Sequence, residues 1–418
     1  MFYMLDKIFK NQSAKHACYI GALSAASYLA CYFCKNILSV VSPHIVETSD
    51  ITVAFIGTLS TFNMIFYAIG QLVNGIIGDK VKAKYLVSIG LLLSGVCSLF
   101  MTATEQPIVM IIAYSLIGFF LSMLYAPLVK VIAENTHPSH ALRCCLALTF
   151  ASLFGVPLAG VASMLLQWQN VFRLCGFFLV IVGIACFCVL SLFEQKRIVT
   201  YKERKRESTK SGSIKVLFEY EIVKFTFVAV LTGIVRTSVV FWVPTYLTQY
   251  LGFSAGTAAS IFTIMSFVQS ASPYVNNLIL YEQILKRNIN VMLLLSFSLS
   301  TISFVMMFTV HHPFVNIIFL ILALMTSNGA SEMLWSVYCP SLRDTGMVSS
   351  ATGYLDFMSY VAAGIANILF ANAISQIGWG TLILVWALLM FAGVLISLPL
   401  KKKKWRFFLW KHKEKNEY

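Results

Sequence analysis

The chain has 418 residues, of which 58% are hydrophobic and 11% charged, and its net charge is +14. A water-soluble fold is excluded, because such domains carry roughly a quarter charged residues, whereas here the apolar residues fall in runs of about twenty, the length that crosses a bilayer as a helix. A β-barrel is excluded too, since its strands are about half that length and alternate; the basic residues sit in short segments between the runs, which fits membrane topology and not a nucleic-acid partner.

In lipid the backbone must satisfy its own hydrogen bonds, so the runs predict an all-α membrane protein of about twelve transmembrane helices in two six-helix halves. The predicted spans are 17–42, 52–77, 85–103, 108–134, 142–166 and 171–193, then 224–250, 255–281, 288–309, 314–338, 348–374 and 379–400. The predicted domains are an N-terminal six-helix bundle (1–193), a basic linker (194–223), a C-terminal six-helix bundle (224–400) and a basic tail (401–418). Residues Met1 to Lys15 read as a short basic N-terminus and not as a cleavable signal.

Lys and Arg set the orientation. Lys7, Lys10, Lys15, Lys80, Lys82, Lys84, the linker, Lys286, Arg287, Arg343 and the tail fall on one side. The predicted loops on the other side carry none, and Arg173 lies just inside the sixth span. Both termini are therefore expected in the cytoplasm, with the chain a multi-pass protein of the cell (inner) membrane. The ten cysteines follow no metal or disulfide spacing. Cys31, Cys34, Cys97, Cys186 and Cys188 sit inside apolar runs and read as small packing residues.

In chain order, the first span holds Tyr32, Lys35 and Asn36, with Lys35 eight residues before Pro43. Tyr32 precedes Lys35 by three residues and shares its face. The second span holds Gln71 and runs into Gly75-Ile-Ile-Gly-Asp79-Lys80-Val-Lys82-Ala-Lys84, a tight turn between helices. Gly75 permits close helix packing there. Asp79 can pair with a cation or face the N-terminus of a neighbouring helix, or the segment is an ordinary basic loop. Lys130, Arg143 and Lys224 read as snorkelling to the interface. Pro127, Pro157 and Pro244 are expected to permit bends.

The linker begins EQKRIVTYKERKRESTK and reads as a solvated cytoplasmic connection. After it, Arg236 stands eight residues before Pro244 in the seventh span, repeating the Lys35–Pro43 spacing of the first. Halves related by an axis along the membrane normal place such positions opposite each other, around a site near the midplane. A cation inside a span is costly and faces protein or water. Lys35 and Arg236 together would hold an anion, Arg as a planar fork and Lys as a point charge; otherwise each is neutralised within its own half. Trp242 and Tyr246 follow Arg236 and either wall the cavity or pack between helices. Glu332 and Asp356 lie inside the tenth and eleventh spans, as proton carriers or as salt-bridge partners. His311 and His312 read as solvated loop residues. The tail KKKKWRFFLWKHKEKNEY is expected along the anionic inner leaflet.

The turn at Gly75–Lys84 resembles the signature loop G-x-x-x-D-[RK]-x-x-x-[RK] of the major facilitator superfamily, which implies a gating role for Gly75, Asp79, Lys80 and Lys84. Tyr281 to Arg287 (YEQILKR) is a worn second copy. Arg236 to Leu247, RTSVVFWVPTYL, resembles the R-x-x-x-x-D-W-x-P-T-Y-L segment of the organophosphate:inorganic phosphate antiporters, which include glycerol-3-phosphate and hexose-phosphate transporters. Tyr32 to Glu47, YFCKNILSVVSPHIVE, resembles their Y-x-x-R-K-x-F-x-x-x-M-P-x-x-V-E segment.

The resemblance implies alternating-access transport of a small organic anion, such as glycerol phosphate or a sugar phosphate. It implies that Lys35 and Arg236 hold the anion, with Tyr32, Asn36, Gln71, Trp242 and Tyr246 around it. The chain departs from the family in having Lys35 for an Arg, Asn36 for a Lys, Gln71 where a Lys is frequent, and Phe241 for an Asp. No histidine lies near Phe150 in the fifth span, where some members have one. The cavity is thus less positive than the family's, and a carboxylate or zwitterion moved with protons is the alternative. A sugar-phosphate sensor built on the same scaffold is another. The expected partners are the anion, inorganic phosphate or protons, and lipid, with no nucleic acid; no cofactor or metal is expected, and the chain is taken to act as a monomer. No cluster of acid, base and nucleophile suggests an enzyme.

Overall fold

The computed structural model describes residues 12–35, 37–49, 51, 53–103, 106–201, 217–218, 220–310 and 312–398. Asn36, His311, most of the linker and the tail lie outside the described residues. The elements in order are α1 (Gln12–Lys35), α2 (Ile37–Thr48), α3 (Val53–Lys80), α4 (Ala83–Phe100), α5 (Pro107–Asn135), α6 (Pro138–Leu165) and α7 (Trp168–Gln195). Then come α8 (Ile222–Gln249), α9 (Ala255–Tyr274, continued by a π-helical stretch Val275–Ile284), α10 (Ile289–Thr309), α11 (Pro313–Thr345), α12 (Val348–Gln376) and α13 (Gly378–Ser397). No strand occurs among the described residues.

The predicted spans and these helices agree to within a few residues at most ends; α11 runs further than expected, through Thr345. Among the described residues, nine helices are long and apolar enough to cross a membrane by length and composition, and α6 and α12 reach 28 and 29 residues. Their starts follow local chemistry. Pro107 and Pro313 occupy the first turn of α5 and α11, where a missing N–H is harmless. Ser254 caps α9 and Asn288 caps α10, each accepting a backbone N–H at 3.3 Å. Large apolar side chains cover the outside: Ile108 is 72% exposed and Leu388 66%. Such a surface is stable only against lipid tails.

Helices α1 to α7 pack mainly on one another, through α1 with α6, α4 with α7 and α3 with α5. Helices α8 to α13 do likewise, through α10 with α11 and α13 and α8 with α12. The two groups meet chiefly where α3 lies along α12 and where the Tyr125–Asn135 part of α5 meets α11 and α12. That seam belongs to the end of the molecule that gathers Lys80, Lys82, Lys84, Lys130 and Arg343, here termed the basic end.

Two glycines permit the seam. A Cβ at Gly75 would stand 2.8 Å from the Ser349 carbonyl oxygen and 2.9 Å from Gly353 Cα, and one at Gly353 would stand 2.8 Å from Gly75 Cα. The backbones touch, so nothing flexible can give way. Gly353→Val is expected to force α3 and α12 apart, at about 1–3 kcal/mol of overpacking, and to expose the basic end. Alkylation of a cysteine placed at Ser349 would measure it, and an unchanged labelling rate would refute the close approach.

Candidate functional site

Between the two helix groups lies a cavity of about 330 Å³, at the lower end of the size of small-molecule sites. It has three walls. From the first group come four tyrosines, Tyr28, Tyr32, Tyr67 and Tyr125. From α8 and α12 come Arg236, Asp356 and Tyr360. From α9 and α11 come Gln269, Ser270, Asn328, Ser331, Glu332 and Trp335. Asn328, Ser331, Glu332 and Trp335 stand at i, i+3, i+4 and i+7, so they fall on one helix face.

The Arg236 side chain is 38% exposed and points into this space. Its guanidinium lies 4.0 Å from Asp356 Oδ1 and 5.9 Å from the centre of the Trp335 ring. The first contact is at the outer limit of an ion pair, so the guanidinium keeps donors free for another acceptor. Trp335 supplies a cation–π face that holds it in place.

Lys35 behaves differently. Its ammonium donates to the Tyr360 hydroxyl at 2.7 Å. It lies 3.9 Å from the centre of the Tyr67 ring, 4.9 Å from Tyr360 and 5.3 Å from Tyr32. The lysine is therefore enclosed by three tyrosines, one of them from the other helix group, just behind the cavity wall. Tyr67 and Tyr360 also meet edge-on at 5.2 Å.

Of the residues predicted to bind substrate, Arg236 and Tyr32 line the cavity, and Lys35 abuts it. Asn36 lies outside the described residues. Three others are not among the lining residues. Gln71 is fully buried in α3 where it meets α12, and neither end of its amide has a hydrogen-bond partner among the described residues. Trp242 packs edge-on against Phe241 at 5.3 Å. Tyr246 is fully buried beside Tyr250 and Trp379, and its hydroxyl donates to Asn316. Both follow Arg236 by six and ten residues, far enough along a helix of 1.5 Å rise to leave the cavity level. Asp356 and Glu332 both line the cavity.

The signature-loop residues gather at the basic end. The Asp79 carboxylate accepts backbone N–H bonds from Ser349 at 2.9 Å and Ser350 at 2.8 Å, the first turn of α12. An acid at a helix N-terminus is favoured by the dipole and by the unpaired N–H groups there. Lys130 was expected to snorkel. Instead its ammonium donates to the Gly78 and Asp79 carbonyls at 3.0 and 3.1 Å and stands 3.8 Å from the Asp79 carboxylate. Those carbonyls are the unpaired end of α3, which draws a cation more strongly than the interface does. Lys82 and Lys84 both bind Glu194 at 2.5 Å, tying α4 to the end of α7. Lys80 is exposed.

A family model described as Major Facilitator Superfamily matches residues 24–367. The chain belongs to the major facilitator superfamily. Three solved structures share the fold at low sequence identity. The superfamily transporter FucP in the outward conformation gives a TM-score of 0.66 at 14% identity, covering 90% of this chain and 97% of FucP. The human organic anion transporter MFSD10 (TETRAN) gives 0.66 at 11%, covering 93% and 100%. The proton:xylose symporter XylE bound to 6-bromo-6-deoxy-D-glucose gives 0.69 at 13%, covering 96% of each. Among curated relatives, the membrane sensor protein UhpC of Salmonella typhimurium is 32% identical over 72 residues, 17% of this chain and 16% of UhpC. The match thus spans about one sixth of that relative.

Within this superfamily fold, sequence reasoning missed most of the cavity wall. Tyr28, Tyr67, Tyr125, Trp335 and Tyr360 lie in apolar runs with no charge or repeat that singles them out. The π-helical stretches were missed as well. They cover Ile234–Val239 around Arg236, Val275–Ile284 with Asn277, and Met333–Tyr338 with Trp335. A π-turn inserts a residue and rotates the following face, and such turns concentrate at functional sites. A signal was present for two of them: Pro273 and Pro340 stand two residues from the second and third stretches, where a missing N–H disrupts the regular ladder.

Proposed function

We propose that the protein is a secondary transporter of a small organic anion, bound at Arg236 and carried across the plasma membrane by alternating access. The observation that carries this reading is the Arg236 guanidinium, exposed to a cavity lined by aromatic and polar side chains and only loosely countered by Asp356. Lys35 supports it from behind the tyrosine wall, adding positive potential without a direct contact. The tyrosines and the amide and hydroxyl groups of α9 and α11 suit a hydroxylated substrate, with glycerol phosphate and sugar phosphates first on the resemblance of the first and seventh spans.

Two cations and two carboxylates make the cavity and its surround near neutral: Arg236, Asp356 and Glu332 line it, and Lys35 stands behind its tyrosine wall. An added anion leaves a net negative charge in a poorly solvated space, which costs several kcal/mol. A proton taken up by Asp356 as the anion captures Arg236 removes that charge. Proton-coupled uptake therefore fits this cavity better than exchange for inorganic phosphate. The seam at Asp79 and Gly75 closes the basic end, and its release opens the cytoplasmic side.

The test is uptake by proteoliposomes of labelled glycerol phosphate, glucose 6-phosphate, lactate and amino acids, with and without an imposed pH gradient. One proton per substrate permits about tenfold accumulation per pH unit, the equivalent of about 1.4 kcal/mol. Accumulation that ignores the gradient but requires internal phosphate would overturn proton coupling in favour of exchange. The UhpC match favours a second reading, a sugar-phosphate sensor. A sensor would show binding by thermal shift with no uptake of any of these compounds.

A further inference from the structure

The α9–α11 wall holds a second carboxylate, which forms no ion pair with Arg236. Glu332 is 8% exposed. Its Oε2 accepts hydrogen bonds from Asn277 Nδ2 at 3.2 Å and from Ser336 Oγ at 3.0 Å. Both donors are neutral. The groups that act on Glu332 from neighbouring helices are Arg236 of α8, Tyr274 of α9, Tyr125 of α5 and Cys145 of α6. Among the described residues none of the basic side chains reaches it at ion-pair distance. A buried carboxylate in that position calls for a positive charge or a proton.

A second observation points to a metal ion. Asn277 is fully buried, and its Oδ1 has no hydrogen-bond partner among the described residues. This orphan oxygen belongs to the same amide head that touches Glu332. The two ends of an amide are nearly alike in shape, so the group can turn over and present oxygen where nitrogen now lies. Ser336 can likewise offer lone pairs in place of its proton. Ser331 and Asn328 lie on the cavity-facing side of the same helix. The donor set is then all oxygen with a single carboxylate, the chemistry of a hard cation. One negative charge is balanced by a monovalent ion and not by a divalent one.

We propose that Glu332, Asn277 and Ser336, with Ser331 and Asn328 at the cavity edge, form a sodium-ion site separate from the anion site at Arg236. Its coupling to transport rests on the transporter reading; its existence does not. A sodium ion there removes the negative charge of Glu332 from the cavity and favours anion capture at Arg236. By linkage the anion favours sodium equally.

The test uses the full-length protein in nanodiscs at fixed pH, with thermal unfolding followed as NaCl replaces choline chloride at constant ionic strength. A parallel series uses KCl. The expected result is a saturable rise in Tm with sodium, as for any ligand of the folded state, smaller or absent with potassium and absent in Glu332→Gln. Ser336→Ala and Asn277→Ala should each weaken sodium by about tenfold or more, and they keep the test open if Glu332→Gln does not fold. Equal responses to sodium, potassium and choline would overturn the site. So would a Tm that follows pH but not sodium, since Glu332 would then hold a proton only. Arg236→Gln separates the two readings: it should lose the Tm response to anions and keep the response to sodium.

Discussion

Arg236→Gln is expected to abolish uptake and to remove the thermal shift caused by the transported anion. Glutamine keeps much of the length and some hydrogen-bonding capacity, but it lacks the charge and the planar fork. Removing one partner of a desolvated, hydrogen-bonded charge pair costs about 2–5 kcal/mol, which is at least a thirtyfold loss of affinity at 1.4 kcal/mol per decade. The substitution also leaves Asp356, 4.0 Å away, without its closest cation. Folding and binding can be separated by the double variant Arg236→Gln/Asp356→Asn. It should recover stability, because neither partner is left charged alone, and it should still fail to bind. An intact anion response in either protein would exclude Arg236 as the anion's contact.

Asp79→Asn is expected to open the basic end. The carboxylate makes two charge-assisted bonds to the first turn of α12 and lies within 3.8 Å of Lys130. Hydrogen bonds to charged groups contribute about 1.5–3 kcal/mol each, and the asparagine amide oxygen keeps one weaker bond at most. A net loss of about 3 kcal/mol shifts a two-state equilibrium by more than a hundredfold. Because the contact exists only while α3 and α12 touch, its removal acts on the closed basic end and spares the binding site. Spin labels at Lys80 and Asp344, both exposed, should report a longer distance in the variant. Transport should fall severalfold while the affinity at Arg236 changes little. An unchanged distance distribution would remove Asp79 from the gate. Lys130→Ala should move the same way by a smaller amount, since it also releases the carbonyl end of α3.

Hydropathy, charge and spacing along the chain determined the all-helical membrane fold, the positions of the helices and the character of the turn at Gly75 and Asp79. These are local properties: a run of about twenty apolar residues must be helical in lipid whatever its neighbours. The repeat of a cation eight residues before a proline also marked Lys35 and Arg236 as the two basic residues deep in the first helix of each half. What each cation meets was decided only in three dimensions. Lys35 turns into a cage of three tyrosines and donates to Tyr360, 325 residues away in sequence. Arg236 faces the cavity with Asp356 at arm's length, while Glu332 sits among amides and hydroxyls. Trp242 and Tyr246, on the same helix as Arg236, stand away from the cavity. These partnerships depend on the rotation of each helix about its axis and on the π-helical stretches that shift it. No periodicity within a single span carries that information, because the rotation is set by packing against helices from distant parts of the chain.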